Sequence, residues 1–304
     1  MKLTTFFHKE KKDVALVLSS GGARGLAHIG AIDELLKRGY HITSVAGTSM
    51  GALVAGMYAS GHFDEFKEWM AQVDRKKMHS LTDFSIGLDH IVKGDRIIEA
   101  IKKVVPDVRI EDLPIPFRAI ATDWNTGKEV VFDHGSLYEA IRCSISVPAY
   151  FSPIRRGEKL LIDGGITNPL PLDRVVRKKD DLLVAVNVSG HDYAAIYKRK
   201  KAIEAWKMKN SRVTSLLKRL LPEGLDPNIN YFTLLSQTIS ISIAQNARRS
   251  ILLNPPDILI DIPMKRYGSG DYDKYAQIYK LGERKAIAAI TRYEHRKRSI
   301  LQRL

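Results

Sequence analysis

The stretch ITSVAGTSMGALVAG, Ile42 to Gly56, joins an apolar run, a serine flanked by glycines and a segment of small residues. It reads as a strand, a sharp turn and a helix. Gly47 and Gly51 suit such a bend because side chains beside Ser49 would clash there. Ser49 is then either a nucleophile lifted out of a strand-to-helix turn or an ordinary turn serine. The rest of the chain has to separate the two.

About 25 residues upstream stands VLSSGGARGLAHIG, Val17 to Gly30, with glycines where an apolar run (Val14 to Leu18) meets a helical pattern. Leu26, Ile29, Ile32, Leu35 and Leu36 fall on one face of that helix, which ends at Gly39. Free backbone N–H groups at such a junction, reinforced by the helix dipole, stabilise negative charge. The anion could be a pyrophosphate, a nucleotide phosphate or a transient oxyanion, and the turn could also be only a tight turn. The dinucleotide fingerprint would need glycine at Ser20. A P-loop would need Lys and Ser/Thr where Ala31 and Ile32 stand, so neither phosphate motif closes.

Further apolar runs predict strands at Phe117–Thr122, Glu129–Phe132, Lys159–Ile162, Leu182–Val188 and Asp257–Ile262, with long helices near 231–248 and 274–292. Strands alternating with helices imply a mostly parallel sheet covered on both faces, an α/β fold. The two glycine turns would then open at one carboxyl edge, where α/β ligands bind. No linker separates two cores. The expected organisation is one domain, 13–292, between basic tails 1–12 and 293–304, with insertions at 62–95 and 190–228.

A serine hydroxyl is a poor nucleophile until something takes its proton. Nine histidines are present. His28 falls within the first helix, and the others stand in polar or charged contexts without a motif. A carboxylate is the other option, and LLIDGGITNPLP supplies one: Asp163 ends an apolar run, and Gly164 and Gly165 let the chain turn and leave it at the sheet edge. The plain alternative is an Asx-type turn. Burial beside Ser49 would raise the pKa of Asp163 and make it a better base.

GGARG, GTSMG and DGG, in that order, resemble the patatin-like phospholipase family in its compact bacterial form. The blocks ATDWNTGKEVVF, IRCSISVPAYFSPI and DGGITNPLPLD extend the resemblance over most of residues 13–290. It implies a three-layer patatin-like fold and a serine lipid acyl hydrolase acting on phospholipid or lysophospholipid through a Ser-Asp dyad. Ser49 carries over as nucleophile and Asp163 as general base. Gly21, Gly22, Ala23, Arg24 and Gly25 carry over as the oxyanion-hole segment, whose N–H groups are the working parts. Arg24 is read as holding the loop by hydrogen bonds rather than attracting a lipid phosphate. Ser20 replaces a usual glycine, and Cys143 stands where alanine is usual, read as a small buried hydrophobe. No metal or organic cofactor is implied. The rival readings are a Ser-His-Asp α/β-hydrolase, and an inactive membrane-associated regulator on the same scaffold.

Charge suggests the partner. Lys plus Arg number 48 against 34 Asp plus Glu, a net +14, which attracts polyanions. Residues 198–221 combine nine cations with Trp206, Leu216, Leu217 and Leu220 at helical spacing, a pattern that fits either a helix packed on the sheet with its lysines solvated or one lying on an anionic bilayer. No nucleic-acid module is found by motif. The single cysteine suits reducing cytosol, and the start has no signal-peptide core. The expected location is the cytoplasm, with peripheral contact at the inner membrane face.

Overall fold

The computed structural model describes residues 12–73, 77, 95–148, 150–190, 197, 201 and 231–301. The amphipathic stretch 198–221 and most of the two expected insertions lie outside the described residues.

Among the described residues, eight strands form one sheet: β1 Asp13–Leu18, β2 His41–Thr48, β3 Phe117–Asp123, β4 Glu129–Phe132, β5 Ile154–Arg156, β6 Lys159–Asp163, β7 Leu182–Gly190 and β8 Ile258–Pro263. Their order is β5-β6-β3-β2-β1-β7-β8, with β4 also paired to β3. β3, β2, β1, β7 and β8 are parallel. They are predominantly apolar because both faces are covered, with β1 apolar from Val14 to Leu18. Along β1 and β7 the faces alternate strictly. Val14, Leu16, Leu18, Val184, Val186 and Val188 enter the larger core. Val17, Leu183 and Ala185 enter a smaller one with Leu170, Leu172 and Ala247.

The helices are α1 Leu26–Lys37, α2 Met50–Ala59, α3 Phe63–Ala71, α4 Asp95–Lys102, α5 Leu137–Ser144, α6 Tyr231–Leu253 and α7 Tyr275–Leu301. α1, α2 and α7 cover the larger core, and α6 contributes Ala247 to the smaller one. The sheet is therefore the middle of three layers, as expected for the fold class. α5 starts at a serine N-cap: the Ser136 hydroxyl accepts from the Glu139 N–H at 3.1 Å.

Three expectations need correction. α7 runs on to Leu301 instead of ending near 292, because Tyr293 packs on the core and Glu294 pairs with Arg38 at 3.1 Å. The segment from 62 is not all insertion, since α3 buries Phe63, Phe66 and Met70. And β6 is antiparallel to β3, so Asp163 does not leave the sheet at the edge where β1 and β2 do. It enters from that edge and stops inside it.

Among the described residues, no helix is long and apolar enough to cross a membrane.

Candidate active site

Register brings the candidate residues together. Thr48 pairs with Ile120 of β3, and the next β3 residue, Ala121, pairs with Asp163 of β6. Ser49, one step past Thr48, is thus level with Asp163 on the other side of β3. β1, on the far side of β2, delivers the Ser19–Gly22 loop to the same edge. Three neighbouring connections converge on one place.

The serine turn is strained. Ser49 has φ 57 and ψ −124, and among the described residues it is the one non-glycine with positive φ. Such a conformation costs about 1–3 kcal/mol and persists only when its surroundings impose it. A Cβ on Gly47 would lie 2.4 Å from the Gly51 carbonyl, and one on Gly51 would lie 2.2 Å from the Leu18 oxygen. The start of α2 therefore lies directly against the end of β1. The Ser49 N–H donates to the Ser144 hydroxyl at 2.8 Å, which donates in turn to the Ile120 carbonyl at 2.6 Å. Ser144 was no candidate from sequence, and its place at the end of α5 carries no spacing signal.

The Ser49 hydroxyl donates to Asp163 Oδ2 at 2.5 Å, and both residues are buried. The other carboxylate oxygen accepts from the Gly165 N–H at 2.6 Å, so Gly165 orients the carboxylate. Gly164 fits because a Cβ there would lie 2.2 Å from the Ile120 oxygen. Burial pushes the Asp163 carboxyl up to about 6, while the bonds from Ser49 and Gly165 pull the other way. At neutral pH it is mostly ionised yet basic enough to accept a proton.

The glycine loop divides more finely than its motif. The Ser19 and Ser20 N–H groups donate to Val186 and Pro169, and the Ala23 N–H donates to Ser269 at 2.8 Å. Among the described residues, the Gly21 and Gly22 N–H groups have no acceptor, and both residues line the cavity beside Ser49. Ala23, Arg24 and Gly25 belong to the short 3-10 turn that follows. Of the expected segment, only Gly21 and Gly22 offer free amides to an anion.

His28 is fully buried, and its Nε2–H donates to the Ser19 carbonyl at 2.9 Å. Burial lowers its pKa to about 4, so it is neutral. It anchors the root of the glycine loop, a role no motif announced. Neither it nor any other described histidine bonds to Ser49, whose hydroxyl has Asp163 as its partner. Burial also pushes the Cys143 thiol up to about 12, which leaves it inert, as a small buried hydrophobe would be.

These groups open into a cavity of about 320 Å³. One wall is a face of α6, where Ser236, Ile239, Ser240 and Ile243 recur at helical spacing; Val147, Tyr150 and Phe151 line it as well. Arg24 also lines it, with 9 % of its surface exposed. Its Nη1 donates to the Met264 carbonyl at 3.3 Å, and among the described residues Nε has no acceptor and no carboxylate pairs with the guanidinium. Burial lowers its pKa.

Comparison with known proteins identifies the family. The family model for patatin-like phospholipase matches residues 16–176. The chain belongs to the patatin-like phospholipase family. It is 33 % identical to an NTE family protein of Mycobacterium tuberculosis, covering 92 % of each chain. It is 26 % identical to the lysophospholipase NTE1 of Candida glabrata over 88 % of this chain, though only 15 % of that much longer protein. Among solved structures, VipD from Legionella pneumophila has a similar fold, with a TM-score of 0.53 at 16 % identity over 93 % of this chain and 67 % of that one.

Proposed function

We propose that the protein is a serine lipid acyl hydrolase that cleaves carboxylic esters of phospholipids or lysophospholipids through Ser49 and Asp163. The observation that carries this reading is the 2.5 Å hydrogen bond between the two side chains, at one end of an apolar cavity beside two unpaired amides. Family membership and the lysophospholipase among the relatives support the same substrate class.

The steps follow from the geometry. Ser49 Oγ attacks the ester carbonyl as its proton passes to Asp163 Oδ2. The carbonyl oxygen gains a negative charge, which the Gly21 and Gly22 N–H groups stabilise, each by about 3 kcal/mol in the transition state. Asp163 then protonates the departing alcohol oxygen, and the C–O bond breaks to leave an acyl-Ser49. Water enters, gives its proton to Asp163 and attacks the acyl carbon. Fatty acid departs as the proton returns to Ser49. The apolar walls from α6 and Tyr150–Phe151 hold the acyl chain.

Arg24 suits the head group. A buried guanidinium without a carboxylate partner is costly in an apolar cavity, and a lipid phosphate would complete it with charge-assisted hydrogen bonds. Replacement by glutamine is expected to raise KM for a lysophospholipid roughly tenfold or more. kcat/KM for p-nitrophenyl butyrate, which has no phosphate, should hardly change. Equal losses on both substrates would return Arg24 to a loop-holding role.

A titration follows from Asp163. The base must be ionised, so activity is full above its pKa and lost as pH falls through about 6. kcat/KM for the same ester, measured between about pH 5 and 8, should drop about tenfold per unit on the acid side. A profile flat down to about pH 4.5 would remove Asp163 as the base. Turnover of p-nitrophenyl butyrate and of a lysophospholipid by the purified chain is the primary test of the activity itself.

A further inference from the structure

The turn after β3 projects Trp124 into solvent with 63 % of its surface exposed. Tryptophan is usually well buried, and this turn is rigid. The Asp123 carboxylate accepts from the Asn125 N–H at 3.2 Å and from the Thr126 hydroxyl at 2.7 Å. The Asp123 N–H donates to the Lys128 carbonyl, and Gly127 closes the turn with φ 66. Two further bonds tie it to the neighbouring hairpin: Trp124 N–H to the Leu160 carbonyl at 2.7 Å, and Asn125 Nδ2 to the Glu158 carbonyl at 3.2 Å. The indole is held out by a pinned backbone, so little entropy is lost if it inserts into something.

Its position relative to the cavity is fixed by the same bonds. Leu160 precedes Asp163 by three residues on β6, about 10 Å at strand spacing. Trp124 therefore stands on the edge of the sheet that carries the cavity. The same turn and the β5–β6 hairpin bonded to it carry Lys128, Arg155, Arg156 and Lys159, all exposed. Arg156 pairs with Glu139 at 3.3 Å, while the other three form no ion pair among the described residues. Asp123 and Glu158 are the acids of the two turns, and Asp123 is engaged by Asn125 and Thr126. Across the cavity, exposed Lys265 and Arg266 follow Met264, whose carbonyl receives Arg24. An exposed aromatic tip beside a hairpin rich in cations matches the interface of an anionic bilayer. There indole rings settle at head-group depth, and each nearby Lys or Arg adds attraction.

We propose that Trp124 is an interfacial anchor that seats the cavity opening on the surface of an anionic lipid bilayer. This deepens the lipid-hydrolase reading and rests on it for its purpose, but its test does not need turnover. The full chain carrying Ser49→Ala is sedimented with sucrose-loaded vesicles of phosphatidylcholine containing phosphatidylglycerol, and with vesicles of phosphatidylcholine alone. The parent should sediment with the anionic vesicles and far less with the neutral ones. Adding Trp124→Ala should weaken partitioning at least about tenfold, with the thermal midpoint unchanged and Trp124→Phe recovering part of the binding. In the chain with Ser49 intact, Trp124→Ala should leave p-nitrophenyl butyrate hydrolysis unchanged. Sedimentation that is indifferent to Trp124, or equal on both vesicles, overturns the proposal. Trp124-dependent sedimentation by a chain that hydrolyses no ester would refute the hydrolase reading and support the anchor.

Discussion

Asp163→Asn is expected to lower kcat/KM for an acyl ester by at least about a thousandfold while making the folded protein more stable. The two effects share one cause. The folded-state pKa of Asp163 lies near 6, against an ordinary value of 3.8. The difference of about 2 units corresponds to about 3 kcal/mol of disfavoured charge at neutral pH. The sign follows from proton counting. Between about pH 4 and 6 the folded state holds a proton that the unfolded state has released, so stability falls as pH rises through that window. Asparagine removes the buried charge, and its amide oxygen can still accept from the Gly165 N–H. Chemical denaturation at about pH 7 should therefore give a gain of up to about 3 kcal/mol, shrinking towards zero by about pH 4. An inactive variant that is also less stable at neutral pH would mean that Asp163 is structural.

The second large effect belongs to Ser49. Alanine there should reduce turnover by about 10⁵-fold or more, since it removes the hydroxyl that is bonded to Asp163. Glycine should be equally inactive but more stable than alanine by about 1 kcal/mol. The reason is the backbone: at φ 57 an alanine keeps the Cβ strain that glycine lacks. Comparing the two variants by denaturation, with activity abolished in both, measures strain held at the nucleophile. Equal stabilities would mean that the elbow is not strained in solution. Residual turnover in either variant would point to another nucleophile.

How much of this could be read from the chain depends on the physics of each part. The parallel strands were legible because strands buried on both faces are mostly apolar, as Val14–Leu18 and Leu182–Val186 are. The two glycine turns were legible because close backbone contact at Gly22, Gly47 and Gly51 tolerates no side chain. The direction of β6 was not, since an apolar run carries no sign of which way it crosses the sheet. The three residues of β5 are too short to make a pattern. The end of α7 was misread because Arg296, Lys297 and Arg298 look like a tail, whereas Tyr293 and Glu294 still hold the helix to the core. Within the site, the partition of the glycine loop into bonded and free amides depends on Ser269 and Pro169, distant partners that no local motif names. The supporting roles of Ser144 and His28 were hidden in the same way. A buried hydroxyl or imidazole acquires its task only when Ile120 or Ser19 is placed beside it.

In the proposed mechanism one carboxylate, without histidine, activates one serine. The most direct measurement is the rate at which a fluorophosphonate modifies the protein as a function of pH, in wild-type and in D163N, with the adduct located by peptide mass spectrometry. A single adduct on Ser49 is expected, formed at a rate that rises with an apparent pKa near 6, with almost no labelling of the asparagine variant. Labelling that is as fast in D163N as in wild-type, or an adduct on a different serine, would contradict it.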